Sequence, residues 1–282
     1  MRWPWQKQRK QRTERTEEVQ ERKTPKKIGL ALGGGSVRGA AHLGVLEVLE
    51  REGIQPDIVA GVSVGSVVGA LYCGGLPLDE IKRLGQEARW TQVGRITRPR
   101  LGFFDISRLE STMDELLEGR TFDQLPIPFA AVAVDILCGQ VVVLRDGSVS
   151  RAVRASCALP GAFTPLEDGT RLLVDGGLLN NLPVSVVQDM GAEYVIAVDL
   201  GGMRGEHRRP SNILEMWGLT YYTLISLTHS EANLADCLIQ PDVARFNLVD
   251  FSQAEALIEE GRKAAEAAMP QLEQDLRLDR VP

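Results

Sequence analysis

Between Asp57 and Asp79 the chain runs for 21 residues, Ile58 to Leu78, without a charged side chain. That is long enough to cross a bilayer, since a spanning helix needs about 20 apolar residues. The stretch is nevertheless cut up by Gly61, Gly65, Gly69, Gly74, Gly75, Pro77 and two serines. It divides into an apolar run, a tight turn and a second apolar run, which is how a strand and a buried helix of an α/β core read. At the turn lies Gly61-Val62-Ser63-Val64-Gly65. Small residues on either side of a serine let the backbone pass sharply from strand to helix, lifting the hydroxyl into the open as a nucleophile. With 28 glycines in the chain such a pentapeptide arises readily by chance, so its strand-turn-helix setting decides its meaning.

That setting is a βαβ unit over residues 28 to 61. Ile28 to Leu32 reads as a buried strand, Gly33-Gly34-Gly35-Ser36-Val37-Arg38-Gly39 as a loop, and the segment with Val45, Leu46, Val48 and Leu49 as a helix. Pro56 to Ala60 then gives a second, parallel strand. Consecutive glycines leave backbone N–H groups unshielded, and the following helix points its positive end at the same place. Gly34, Gly35 and Ser36 are the candidate donors for an oxyanion. A nucleotide reading of this loop fails on spacing. Counted from Gly33 the sixth position is Arg38, where the dinucleotide fingerprint wants glycine, and no Gly-Lys-Ser/Thr is present.

Further along, Asp79 to Arg89 reads as a polar helix and Arg95 to Arg100 as an irregular basic loop. Ser107 with Glu110 reads as a capping box opening a helix to about Leu117. Phe129 to Val134, Gln140 to Leu144, Arg171 to Val174 and Tyr194 to Val198 read as strands, and Ser150 to Ala158 as a helix. A long helix is expected over Ser211 to Ala235, its Trp217, Tyr221 and Tyr222 being core residues or the lining of an acyl channel. Another helix runs from Ser252 to about Leu276. The expectation is an α/β fold, a mainly parallel sheet sandwiched by helices, in one domain from 28 to 282 whose C-terminal part is helical from about 211.

Residues 1 to 27 carry ten Lys or Arg against four Glu, a surplus of +6, so the rest stands at -12 within the overall -6. An acidic body excludes a nucleic-acid-binding domain, which needs a basic face. The tail is too charged to bury a core and is read as disordered. Trp3 and Trp5 among five basic residues in the first twelve give it an alternative role as a contact with an anionic membrane. No apolar signal segment follows the basic start, and the expected location is the cytoplasm. Cys73, Cys138, Cys157 and Cys237 include no C-x-x-C pair, so neither metal site nor disulfide framework is expected. No cofactor is implied.

A serine nucleophile needs a base. Asp135, Asp175 and Asp199 each follow a strand, where open α/β sheets build their sites. Asp175 stands out because Gly176 and Gly177 allow close backbone approach, although Asp before Gly also caps turns. The histidines are His42, His207 and His229. A Ser-His-Asp triad would need one of the last two, which lie in a polar loop and a helix, while His42 follows the glycine loop as a packing residue.

Four stretches taken together resemble the bacterial patatin-like phospholipases: Gly33-Gly34-Gly35-Ser36-Val37-Arg38-Gly39, Gly61-Val62-Ser63-Val64-Gly65, Arg154-Ala155-Ser156-Cys157-Ala158-Leu159-Pro160-Gly161 and Asp175-Gly176-Gly177-Leu178-Leu179-Asn180-Asn181-Leu182-Pro183. The likeness covers about residues 28 to 202. It implies a three-layer patatin-like fold, Ser63 as nucleophile and Asp175 as base of a dyad. It also implies the glycine loop as oxyanion hole, Arg38 as nearby positive charge, and a lipid or simpler ester as substrate. Gly39, Gly61, Gly65, Gly176 and Gly177 support the turns. Ser36 departs from the family, where many members have glycine, and a backbone donor there is compatible with serine if φ is negative. A non-catalytic scaffold is the reading from another class, with the intact Ser63, Asp175 and glycine loop against it.

Overall fold

The computed structural model describes residues 26–89, 94–96, 101–201, 209–211 and 213–277. The strands are β1 (Ile28–Leu32), β2 (Ile58–Val62), β3 (Arg95–Ile96), β4 (Gly102–Asp105), β5 (Phe129–Asp135), β6 (Gln140–Leu144), β7 (Gly161–Phe163), β8 (Leu166–Asp168), β9 (Arg171–Asp175), β10 (Tyr194–Val198) and β11 (Cys237–Ile239). The helices are α1 (Ala40–Arg51), α2 (Val64–Cys73), α3 (Leu78–Glu87), α4 (Ser107–Leu116), α5 (Val149–Ser156), α6 (Val184–Asp189), α7 (Ile213–Ser226) and α8 (Ala254–Leu276).

The main sheet is parallel through β11-β10-β1-β2-β5 and antiparallel where β6, β9 and β8 join it. A separate small sheet joins β3, β4 and β7. Side chains of a strand alternate between faces, so β1 and β2 feed two cores. Leu30, Leu32 and Val59 pack with Leu43 and Leu46 of α1 and Ile258, Met269 and Leu272 of α8. Ala31, Ile58, Ala60 and Val62 pack with Val184, Val186 and Val187 of α6. Helices on both faces explain why these strands are apolar throughout and make the three-layer expectation correct. The charge-free stretch is β2, the elbow and α2. Among the described residues no helix is long and apolar enough to cross a membrane.

Several local expectations change. The helix expected over Ser211 to Ala235 ends at Ser226, and the chain returns to the main sheet as β11. The side chains of Trp217 and Tyr222, like residues 1 to 25, lie outside the described residues. Ser107 and Glu110 form no capping box. Asp105 instead accepts from the Ser107 amide at 2.9 Å and its hydroxyl at 3.0 Å. Arg95–Ile96, read as loop, pairs with β4. At two residues, β3 is too short for periodicity to reveal.

Candidate active site

The elbow is a strand-turn-helix. Ser63 stands between β2 and α2 at φ 51°, ψ -124°, a strained conformation for a residue with a side chain. The glycines beside it keep negative φ and serve close approach instead. A Cβ on Gly65 would strike the Leu32 carbonyl, and one on Gly61 the Gly65 carbonyl. Two serines fix the strained residue. The Ser66 hydroxyl donates to the Ser63 carbonyl at 2.6 Å. The Ser63 amide donates to Ser156 Oγ at 2.9 Å, whose own hydroxyl donates to the Val132 carbonyl at 2.6 Å. The wholly buried Ser156 thus bridges a gap in the ladder between β2 and β5. Sequence reading quoted Ser156 within a motif without finding this role, and its signal is a serine on the buried face of an amphipathic helix, beside Ala152, Val153 and Ala155.

Asp175 reaches Ser63 from an unexpected direction. Val132 pairs with Val62 and with Val143, so β2 and β6 occupy opposite edges of β5. Ala133 pairs with Val142 and with Asp175, which puts β9 on the same edge as β2. β9 therefore continues the line of β2 antiparallel to it, and the two strands meet with their carboxyl ends facing. Ser63 is the residue after Val62, and Asp175 is the last of β9. Their meeting is written in register. The small size of Gly176 permits the junction, since a Cβ there would strike the Val132 carbonyl.

Asp175 is buried, with its Oδ1 accepting from the Gly177 amide at 2.8 Å. The Ser63 hydroxyl and the Tyr221 phenol lie near enough to the carboxylate to favour its charged form. Burial disfavours the charge more than these donors favour it, and its pKa is raised to about 6. Such a group is ionised at neutral pH and far more basic than a free carboxylate. Tyr221 belongs to α7, and sequence reading offered it only as core or channel lining. Cys157 also adjoins the site, but burial and the Asp175 charge push its thiol pKa well up, so it stays protonated.

The glycine loop follows β1 and enters a short 3-10 turn, Ser36–Gly39. The Gly34 amide donates to the Asn181 carbonyl at 3.1 Å, and Asn181 Nδ2 donates to the Gly34 carbonyl at 3.4 Å. Gly34 is thus already committed, which corrects its place among the donors. Gly35 and Ser36 remain, at the start of a helical turn where amides lack an intrahelical acceptor. Ser36 has φ 54°, so the condition of a negative φ is not met, and it lies in a region that glycine occupies without strain. A serine there costs about 1 kcal/mol or more. Its hydroxyl donates to the Leu248 carbonyl at 2.7 Å. The buried Arg38 guanidinium donates to the Ala244 carbonyl at 2.8 Å and to that of Phe246 at 3.1 and 3.3 Å. Gly39 packs against the Val64 side chain.

The other base candidates are occupied elsewhere. Asp135 accepts from the amides of Leu137 and Leu172 at 3.1 and 3.2 Å. Asp199 accepts from the Gly201 amide and the Gln240 side chain, both at 2.9 Å. His42 is buried beneath the loop with Nε2 2.8 Å from the Gly33 carbonyl. Burial lowers its pKa to about 4, so it is neutral. His207 and the His229 side chain lie outside the described residues. Among the described residues no three His, Cys, Asp or Glu are grouped to hold a metal ion.

The chain is similar to proteins of known family. An uncharacterized NTE family protein of Mycobacterium tuberculosis is 33% identical over 271 residues, covering 86% of this chain and 46% of that protein. Patatin-like phospholipase domain-containing protein 6 of Mus musculus is 38% identical over 189 residues, 63% of this chain and 14% of that protein. The chain spans about half the length of the mycobacterial relatives it matches. VipD from Legionella pneumophila shares the fold with a TM-score of 0.59 at 14% identity, over 88% of this chain and 67% of VipD. The family model for patatin-like phospholipase matches residues 30–187, from β1 through the elbow and Asp175 to α6, and the chain belongs to that family.

Proposed function

We propose that the protein is a serine lipid acyl hydrolase, cleaving carboxylic ester bonds of phospholipids or lysophospholipids through Ser63 and Asp175. The observation that carries this reading is Ser63 at the carboxyl end of β2 meeting the buried carboxylate of Asp175 at the carboxyl end of β9. Asp175 takes the hydroxyl proton as Ser63 attacks the ester carbonyl. The amides of Gly35 and Ser36 receive the oxyanion in a dry site, where fixed donors are worth most. The C–O bond to the alcohol then breaks, the alcohol leaves with the proton held by Asp175, and an acyl-Ser63 ester remains. Water, deprotonated by Asp175, attacks this ester; the acid departs and Ser63 recovers its proton.

The experiment is a lipid-class panel comparing wild type with Ser63→Ala, Asp175→Asn and His229→Ala. Loss in the first two with most activity kept in the third is expected. Activity that survives Asp175→Asn but not His229→Ala would replace the dyad with a triad. A wild type that reacts with no ester and no fluorophosphonate would favour the scaffold. The basic segment 1 to 27 is proposed to add contact with anionic membranes, and its deletion should weaken binding to anionic vesicles.

A further inference from the structure

The oxyanion loop is fastened on one side by a segment distant in sequence. Three consecutive residues of the loop bond to alternate carbonyls of one short stretch. The Ser36 hydroxyl and, at 3.4 Å, the Val37 amide reach Leu248, while Arg38 reaches Ala244 and Phe246. That stretch is anchored in turn. Val243 packs with Val37, Ala41 and Leu257, and Arg245 bonds Glu260 of α8 at 3.0 Å. We propose that residues 244 to 248 are a clamp that sets the shape of the oxyanion loop, with Ser36 and Arg38 as positioning residues acting through the Gly35 and Ser36 amides.

Two features favour a positioning role over plain packing. A serine hydroxyl occupies a left-handed position where glycine would be unstrained, so the side chain is kept at a conformational cost. The Arg38 fork spans two carbonyls, a geometry a lysine point charge cannot reproduce. The arrangement also separates two duties that sit on one residue. The clamp takes the hydroxyl of Ser36 and leaves its amide for the oxyanion.

The proposal rests on the hydrolase reading only for the meaning of the loop, and the test keeps the two apart. Ser36→Gly removes the tie while relieving the backbone, and Arg38→Lys keeps the charge while losing the fork. Amide hydrogen exchange over residues 33 to 40 reads the clamp directly and needs no activity. Both variants should exchange there at least about tenfold faster while the core strands stay protected, as for a local opening. In the esterase assay each should lower kcat about tenfold with KM nearly unchanged, as expected of donors displaced without loss of binding. Reaction with a fluorophosphonate should slow by the same factor, and the pH profile should keep its acid limb, since Asp175 is untouched. Unchanged exchange in Ser36→Gly would overturn the clamp, whatever the enzyme does. Faster exchange with unchanged kcat would overturn the positioning role. Full activity in Ser63→Ala would sink the hydrolase reading and leave the exchange result standing on its own.

Discussion

Two serines of this molecule are held at almost the same left-handed φ, 51° at Ser63 and 54° at Ser36, at the ends of neighbouring parallel strands. They are held in different ways. Ser63 is fixed from within, by Ser66 one turn ahead and by the wholly buried Ser156 beneath it. Ser36 is fixed from outside, by a carbonyl 212 residues further along the chain. Ser63, the proposed nucleophile, is therefore tied into the core, whereas the loop facing it depends on how the C-terminal part docks. A disturbance near α8 should reach the oxyanion donors before it reaches the serine.

The largest effect tests the half of the site that should be indifferent to the clamp. Asp175→Asn and Ser63→Ala should each lower kcat by about a thousandfold or more, as loss of a member of a catalytic unit does, read as ester turnover by protein of unchanged circular dichroism. Next comes Ser156→Ala, which strands the Ser63 amide and the Val132 carbonyl. Each buried unpaired group costs about 1–3 kcal/mol. Denaturant melts should show a loss of a few kcal/mol, with slower fluorophosphonate labelling and no faster exchange in residues 33 to 40. If that loop loosens as well, the two regions are not independent.

The third effect follows from the raised pKa of Asp175. Its value is about 6 in the fold against an ordinary 3.8, so the folded state holds the proton more tightly than the unfolded chain. Stability falls as pH rises from about 4 to about 6 and the penalty is complete above that, a difference of about 3 kcal/mol at most. Asp175→Asn should melt higher than wild type at pH 7, with the advantage gone below about pH 4. Wild-type kcat/KM should rise with pH through the same region, because the base must be ionised. A flat profile between pH 5 and 7 would remove Asp175 as the base. The smallest effect is at the outer anchor of the clamp. Arg245→Ala breaks an exposed pair with Asp242 and a half-exposed one with Glu260, each worth about 0.5 kcal/mol, and kcat should change by less than about twofold. A larger loss would show that the loop is tuned from the surface.

Much of the first half of the site was legible because it is local. The runs Ile28–Leu32 and Ile58–Val62, the intervening helix and the elbow are contiguous, and their glycines announce the close approaches they permit. Asp175 was singled out for the same reason, from the two glycines that follow it. Its approach was not. The antiparallel entry of β9 depends on which edge of β5 it takes, a matter of register between distant segments. The φ of Ser36 and the partners of Arg38 escaped similarly, since both depend on carbonyls beyond residue 240. Backbone carbonyls carry no side-chain signature, so a cation or hydroxyl that serves them looks available from the sequence.

The head-on meeting of β2 and β9 has an evolutionary corollary. The surface loops between Ser63 and Asp175 can lengthen or shorten at a cost that grows only slowly with length. A single residue inserted within β9 itself would turn the carboxylate to the opposite face of the sheet. Descendants of this protein should therefore differ in loop length between the two residues while conserving the number of residues inside each strand.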